Sequence, residues 1–288
     1  DVLPDSEFLP AMEMNIVEKD IANNLKKKFN GSRHMFIGRS ANITQPKPEQ
    51  NRVNCQYRNK CWLGCPYGAY FSTQSSTLPA AKATGNLSIE VNKIVTRILY
   101  DKDKKKATGV EVLDAINNQT YEFKSKIVFV CASAFNSTWV LMNSATDIWP
   151  DGLGSSSGQL GHNVMDHHFR CGAGGAVEGY EEYIEYGSRP TGIYIPRFRN
   201  VYNDKRNYLR GFGYQGGAGR GRGVEVAELL GKEFKEAKFQ PNKWYIGITG
   251  FGEMLPYHEN TIKLDKEKKD KWGLPVLRMD VEMKENEH

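Results

Sequence analysis

Three of the five cysteines in this chain, Cys55, Cys61 and Cys65, fall within eleven residues. Their spacing is C-x5-C-x3-C, followed by a Pro-Tyr-Gly-Ala turn and a hydroxyl-rich run that leads into a predicted short helix. A structural zinc site wants four ligands, usually in two close pairs. Only three thiols are local here, and His34 lies far upstream. Two of the thiols could form a disulfide in an oxidising compartment. All three could hold an iron–sulfur cluster of three irons, with one thiolate to each. On spacing alone cluster and disulfide stand level, and three plain buried thiols so close together would be dense.

Two further stretches could do chemistry. Residues 125–131 (SKIVFVC) end in an apolar run, which predicts a strand buried on both faces as in a parallel sheet. Ala132, Ser133 and the residues after them form a small-residue turn opening into a helix. Ligands of open α/β sheets sit outside the carboxyl ends of the strands, and a helix N-terminus offers free N–H groups to them. The bland alternative is an ordinary strand–helix joint. His162, His167 and His168 raise a metal reading, but His162 is distant, and adjacent histidines on a strand point opposite ways. A structural hydrogen bond between Asp166 and His167 is the better expectation. Residues 211–216 (GFGYQG) match G-x-G-x-x-G, yet no helix follows. They are rejected as a dinucleotide site in favour of a glycine-loosened loop or strand end.

The elements that must position these residues read as follows. A helix spans 5–30, capped by Asp5 or Ser6 and ended by Asn30 and Gly31 after three lysines. Residues 35–37 are a short strand and 39–54 a loop. Alternating β-branched runs at 87–91, 94–100, 107–114 and 120–123 are strands, with turns at 101–106 and 117–118. Residues 152–161 (GLGSSSGQLG) are a flexible loop. From 169 onward, aromatic and small residues alternate, which predicts a large antiparallel sheet with one helix at 224–238. That sheet could wall a sugar or alcohol pocket, although packing explains aromatics equally well.

Composition is ordinary for a globular protein, 39% hydrophobic and 25% charged, with a net charge of +5. The basic runs look locally balanced, a poor footprint for nucleic acid. No window approaches the ~20 apolar residues of a membrane span. There is no signal peptide, and both ends look cut, so the chain reads as an internal piece of a larger protein.

Residues 61–73 (CWLGCPYGAYFST), 78–81 (LPAA), 84–88 (TGNLS), 107–112 (ATGVEV), 127–144 and 157–167 (SGQLGHNVMDH) together resemble the glucose–methanol–choline (GMC) oxidoreductase family. The resemblance is strong from about 50 to 168. It is weaker through 252–256 (GEMLP) and 270–275 (DKWGLP). Within the family the chain is most similar to large subunits of bacterial FAD-dependent sugar dehydrogenases. The resemblance implies a partial α/β, Rossmann-like FAD-binding domain over 1–168 with a cysteine-rich insertion. It also implies part of an α+β substrate domain over 169–288. It places Val95 at the FAD adenine and Cys131, Ala132 and Ser133 beside the adenosine half of FAD. It makes Cys55, Cys61 and Cys65 ligands of a [3Fe–4S] cluster. The implied reaction is oxidation of a sugar or polyol CH–OH to a carbonyl, with electrons passing to a cytochrome acceptor, a small partner subunit and a periplasmic location. The family's N-terminal phosphate motif and its catalytic histidine have no counterpart here, so no catalytic base is assigned. The rivals are an oxygen-using oxidase and a truncated, non-catalytic binding or assembly copy.

Overall fold

A computed structural model describes residues 13–37, 46–57, 61, 64–184, 192–222 and 229–288. The chain divides by packing into two compact units. One is Asp1–Leu87 with His167–Glu253, and the other is Ser88–Asp166 with Met254–His288. The chain passes between the units at 87/88, 166/167 and 253/254; the functional boundary expected at 168/169 lies beside the second of these, while Met254–His288 packs with Ser88–Asp166.

The first unit is built on a five-stranded antiparallel sheet. Its strands are β1 (Phe36–Ile37), β5 (His167–Val177), β6 (Ile193–Ile195), β7 (Phe212–Arg222) and β8 (Pro241–Glu253), in the order β1-β6-β7-β8-β5. Helix α1 (Ile16–Lys28) covers one face. Val17, Ala218 and Trp244 form one buried cluster, joined by Ile16, Ile21 and Ile246. Met35, Ile193 and Ile195 form a second, joined by Leu25, Tyr214 and Ile248. Full burial of an aliphatic side chain such as Val17 or Ile193 contributes about 1.5–3 kcal/mol by leaving water. Trp244, 2% exposed, satisfies its indole by donating to the Tyr180 carbonyl at 2.9 Å. Alternation along β8 then puts Tyr245, Gly247, Thr249 and Phe251 on the face away from α1.

Helix α1 starts later than expected. Asn15 caps it in a capping box with Glu18, so the expected start is corrected; Asp5 and Ser6 lie outside the described residues. The same two side chains also close a sheet edge. β6 pairs β7 only as far as Gly216. Two residues on, the Ala218 N–H donates to Glu18 Oε1 (2.9 Å) and Asn15 Nδ2 donates to the Ala218 carbonyl (2.8 Å). The helix end is as expected: Gly31 N–H reaches back to the Lys26 carbonyl at 2.8 Å, after Lys26, Lys27 and Lys28 in the last turn.

The G-x-G-x-x-G match takes in the residue before β7 and the first five residues of that strand, the strand end that was expected, on a strand inside the sheet. Its glycines serve close approach: a Cβ on Gly216 would lie 1.9 Å from the Gly247 carbonyl oxygen. The expected helix at 224–238 is corrected to α4 (Gly231–Phe239); residues 223–228 lie outside the described residues. Helix α2 (Thr77–Ala83) is the short helix expected after the cysteine stretch.

In the second unit, β2 (Lys93–Asp101), β3 (Lys106–Asp114) and β4 (Thr120–Lys124) form an antiparallel meander. β9 (Thr261–Lys269) and β10 (Pro275–Asp280) form a hairpin. Helix α3 (Ser133–Asn143) is pinned at both flanks. The Ile98 N–H of β2 donates to Ser144 Oγ at 2.7 Å, and Trp139 Nε1 donates to the Pro275 carbonyl at 2.6 Å. Lys93 and Asp114 pair across the meander at 2.5 Å.

Two expected strands are corrected. Residues 87–91 and 125–131 have no ladder partner among the described residues. Ile127 and Phe129 are 67% and 83% exposed rather than buried. An apolar strand of the parallel kind needs hydrogen-bonded neighbours on both sides and cover on both faces. The described residues supply neither, and every ladder among them is antiparallel.

Candidate functional site

The sequence-predicted site residues fall in two places. Cys55, Cys61 and Cys65 belong to the first unit, and Val95, Cys131, Ala132 and Ser133 to the second.

The cysteine stretch is a series of tight turns. Gly64 N–H donates to the Cys61 carbonyl, Gly68 N–H to the Cys65 carbonyl, and Val53 N–H to the Tyr67 carbonyl at 3.0 Å. All three thiols are half-buried and none is in a disulfide. The hydroxyls that follow are consumed locally: Ser76 Oγ donates to the Ser72 carbonyl at 2.5 Å, and Ser75 Oγ to the Tyr70 carbonyl at 3.0 Å. They shape the turn before α2 rather than presenting donors to a ligand. The donor set has the chemistry an iron–sulfur cluster needs, but its arrangement is open. Among the described residues no three cysteine, histidine or carboxylate side chains converge as a metal would require. In this conformation the thiols do not fit the cluster.

The turn at α3 fits a cofactor contact better. Cys131, Ala132 and Ser133 are all exposed. Ala132 at the N-cap makes no side-chain cap and no acid occupies the first turn, so N–H groups are left for a ligand. Ser133 holds φ +65, which bends the chain sharply into the helix. Ser137 Oγ turns back to accept the Ala132 N–H at 3.2 Å and fixes that bend. Small side chains there let a ligand approach the backbone. Val95 is an exposed residue of β2, opposite Val112 and beside a register shift.

The histidines do not gather. His162 stacks on His258 with centroids 4.0 Å apart, and its Nδ1 lies 2.7 Å from the His258 carbonyl oxygen. His167 meets the Phe251 ring edge-on. His168 Nε2 lies 3.8 Å from Cys171 Sγ across a bulge in β5. Sequence reading had no signal for His258, which is 96 residues from its partner.

On the open face of the five-stranded sheet, Gly174, Gly247 and Gly217 stand side by side on three neighbouring strands. Tyr245 lies over this floor: a Cβ on Gly174 would sit 2.5 Å from its hydroxyl. Gly172, Tyr245, Gly247 and Thr249 line a recess of about 320 Å³ there. The aromatics thus divide. Trp244 and Tyr214 pack inward, whereas Tyr245 and Phe251 face outward. The glycine row was invisible in sequence because it depends on the register of β5, β7 and β8.

The family model for GMC oxidoreductase matches residues 7–169, more than half of the chain, and the chain belongs to this family. GMC oxidoreductases bind FAD. The chain is 29% identical over 265 residues to 2-methyl-1,2-propanediol dehydrogenase of Mycolicibacterium austroafricanum, covering 88% of this chain and 46% of that protein. It is 26% identical over 232 residues to the fructose dehydrogenase large subunit of Gluconobacter japonicus, covering 80% of this chain and 41% of that protein. The chain therefore spans less than half the length of these relatives.

Proposed function

We propose that the chain is part of an FAD-dependent dehydrogenase that oxidises a CH–OH group of a polyol or sugar to a carbonyl. The observation that carries this is the family match taken with the two relatives. Both are named as dehydrogenases, one of a diol and one of a sugar. The same names favour a dehydrogenase over an oxygen-using oxidase. FAD supplies the hydride acceptor when bound. This chain's residues do the holding. The turn at Cys131, Ala132 and Ser133, with the uncapped N–H groups of the first turn of α3 after it, binds the adenosine half, and the Val95 backbone meets the adenine. Residues 1–168 then serve the cofactor and 169–288 the substrate. The glycine floor under Tyr245 walls the substrate: an aromatic face packs on the C–H face of a polyol, and glycines let it approach the sheet. The Rossmann-like fold of the FAD-binding part is supported by the family match alone.

The finer assignments stand on less. A [3Fe–4S] cluster at Cys55, Cys61 and Cys65 is supported by spacing and thiol chemistry, against the open arrangement of the thiols. Iron and acid-labile sulfide analysis of the full-length protein decides it: three irons per flavin support the cluster, and three titratable thiols without iron refute it. A small subunit and a cytochrome acceptor are supported by one relative's being a large subunit. The periplasmic location is supported by the resemblance alone, and cell fractionation tests it. The reaction itself is tested by adding diols and sugars anaerobically to the full-length protein and following the visible flavin absorbance. Bleaching by a member of this class supports the reading, and a flavin inert to all of them refutes it.

A further inference from the structure

Arg52 opens the cysteine stretch and is buried, only 7% exposed. Its Nε has no hydrogen-bond partner: no carbonyl, carboxylate or thiol among the described residues accepts from it. Its position is held by the backbone on both sides. Lys47 and Arg52 bridge each other, Lys47 N–H to the Arg52 carbonyl at 2.9 Å and Arg52 N–H to the Lys47 carbonyl at 3.1 Å. The next residue, Val53, ties this bridge to the turn that carries Cys65. Gly68 in that turn has φ +61, and a Cβ there would come 3.1 Å from Arg52 Cγ and from the Asn51 carbonyl oxygen. A side chain at residue 68 would press on the arginine stem and hold a φ that favours glycine.

Charge along the sequence that flanks Arg52 is one-sided. Between Asp20 and Glu90 the sequence has ten lysines and arginines and a single acid, Glu49. That segment is +9 in a chain of net +5, so all the rest is net −4. The modest overall charge hides this, and the basic residues are not locally balanced here. A buried Nε–H without an acceptor is unfavourable, and buried polar orphans in native proteins ask for an explanation. The surrounding sequence offers almost no carboxylate to answer it.

We propose that Arg52 anchors an anion site in the cysteine stretch, and that the site takes an oxyanion of the phosphate class. The Nε edge of a guanidinium presents donors in a fork that matches two oxygens of such a group. A doubly charged ligand also suits a segment in which Lys47 is bridged to Arg52. The phosphate could be inorganic or belong to the diphosphate of a dinucleotide cofactor. The site stands whether or not the flavin dehydrogenase reading holds.

The test is thermal unfolding of flavin-free full-length protein, titrated with inorganic phosphate at constant ionic strength made up with chloride, then separately with FAD. Wild type, Arg52→Met and Arg52→Lys are compared. The wild-type midpoint should rise by about 3–5 °C near saturation with at least one of the two probes. Arg52→Met should not respond, and Arg52→Lys should keep a smaller rise. Should Arg52→Met fail to fold, the ³¹P line width of phosphate with wild type against Arg52→Lys gives the same comparison. A response to phosphate that added FAD abolishes identifies the cofactor's diphosphate as the natural ligand. A response that survives FAD identifies free phosphate. The proposal is overturned if neither probe moves the wild-type midpoint, or if Arg52→Met responds as wild type does.

Discussion

Lys93 and Asp114 show what a single pair does for the second unit. The Lys93 ammonium donates to Asp114 at 2.5 Å and holds its carboxyl below the usual carboxylate range, helped by the Ile116 N–H. The same hydrogen bond raises Lys93 above the usual lysine range. The depressed carboxyl stabilises the fold above its unfolded pKa, and that contribution is lost as pH falls through the folded value. The raised ammonium stabilises below its unfolded pKa, and that contribution is lost as pH rises through the folded value. Stability should therefore be level between about pH 5 and 9, with losses outside it from this pair. Urea midpoints measured against pH should show a shallower acid limb for Asp114→Asn, and an unchanged limb would refute the role. Tyr245 makes a different kind of claim. If it walls the substrate, Tyr245→Ala should raise KM by about two- to tenfold in the full-length enzyme, and Tyr245→Phe should restore most of the loss. An unchanged KM would remove Tyr245 from the wall. Residues of this sort differ in legibility. The cysteines announce themselves by spacing, whereas Arg52 looks like any surface arginine until its burial is seen.

At the scale of elements, local signals read well and long-range ones did not. The meander β2–β4 was legible because its strands are consecutive and its turns carry Asp, Lys and Asn. The end of α1 was legible because Asn30 and Gly31 take the left-handed conformations that such ends need. Its start was not: Asn15 and Glu18 form an ordinary capping box, and their second role at the Ala218 edge depends on a contact about 200 residues away. Glu18→Ala should cost about 1–3 kcal/mol by leaving the Ala218 and Asn15 N–H groups without their acceptor, while Glu18→Gln should cost less. Denaturant titration distinguishes them, and equal stability of all three proteins would contradict the edge role. The apolar run at 127–131 was misread for an instructive reason. Its composition suits a strand buried on both faces, but a strand exists only with neighbours. The G-x-G-x-x-G match was rightly refused, because Gly211–Gly216 lacks the helix the motif requires, yet its place in the body of a sheet needed β8 to be seen.

At the scale of the whole molecule, the chain belongs to the GMC oxidoreductases and spans less than half the length of the two relatives it matches. The family was legible from short blocks, chiefly 61–73 and 157–167, in which cysteines, glycines and turn residues stand at fixed offsets. The substrate was not, since the proposed wall of a glycine floor and an outward tyrosine offers a C–H surface that selects no one compound. The most direct measurement is the anaerobic flavin spectrum of the full-length protein before and after a panel of diols and sugars. The account predicts a bound flavin whose visible band is bleached by at least one diol or sugar and returns when an electron acceptor is added. A protein that binds no flavin, or whose flavin stays oxidised with every member of the panel, would contradict it.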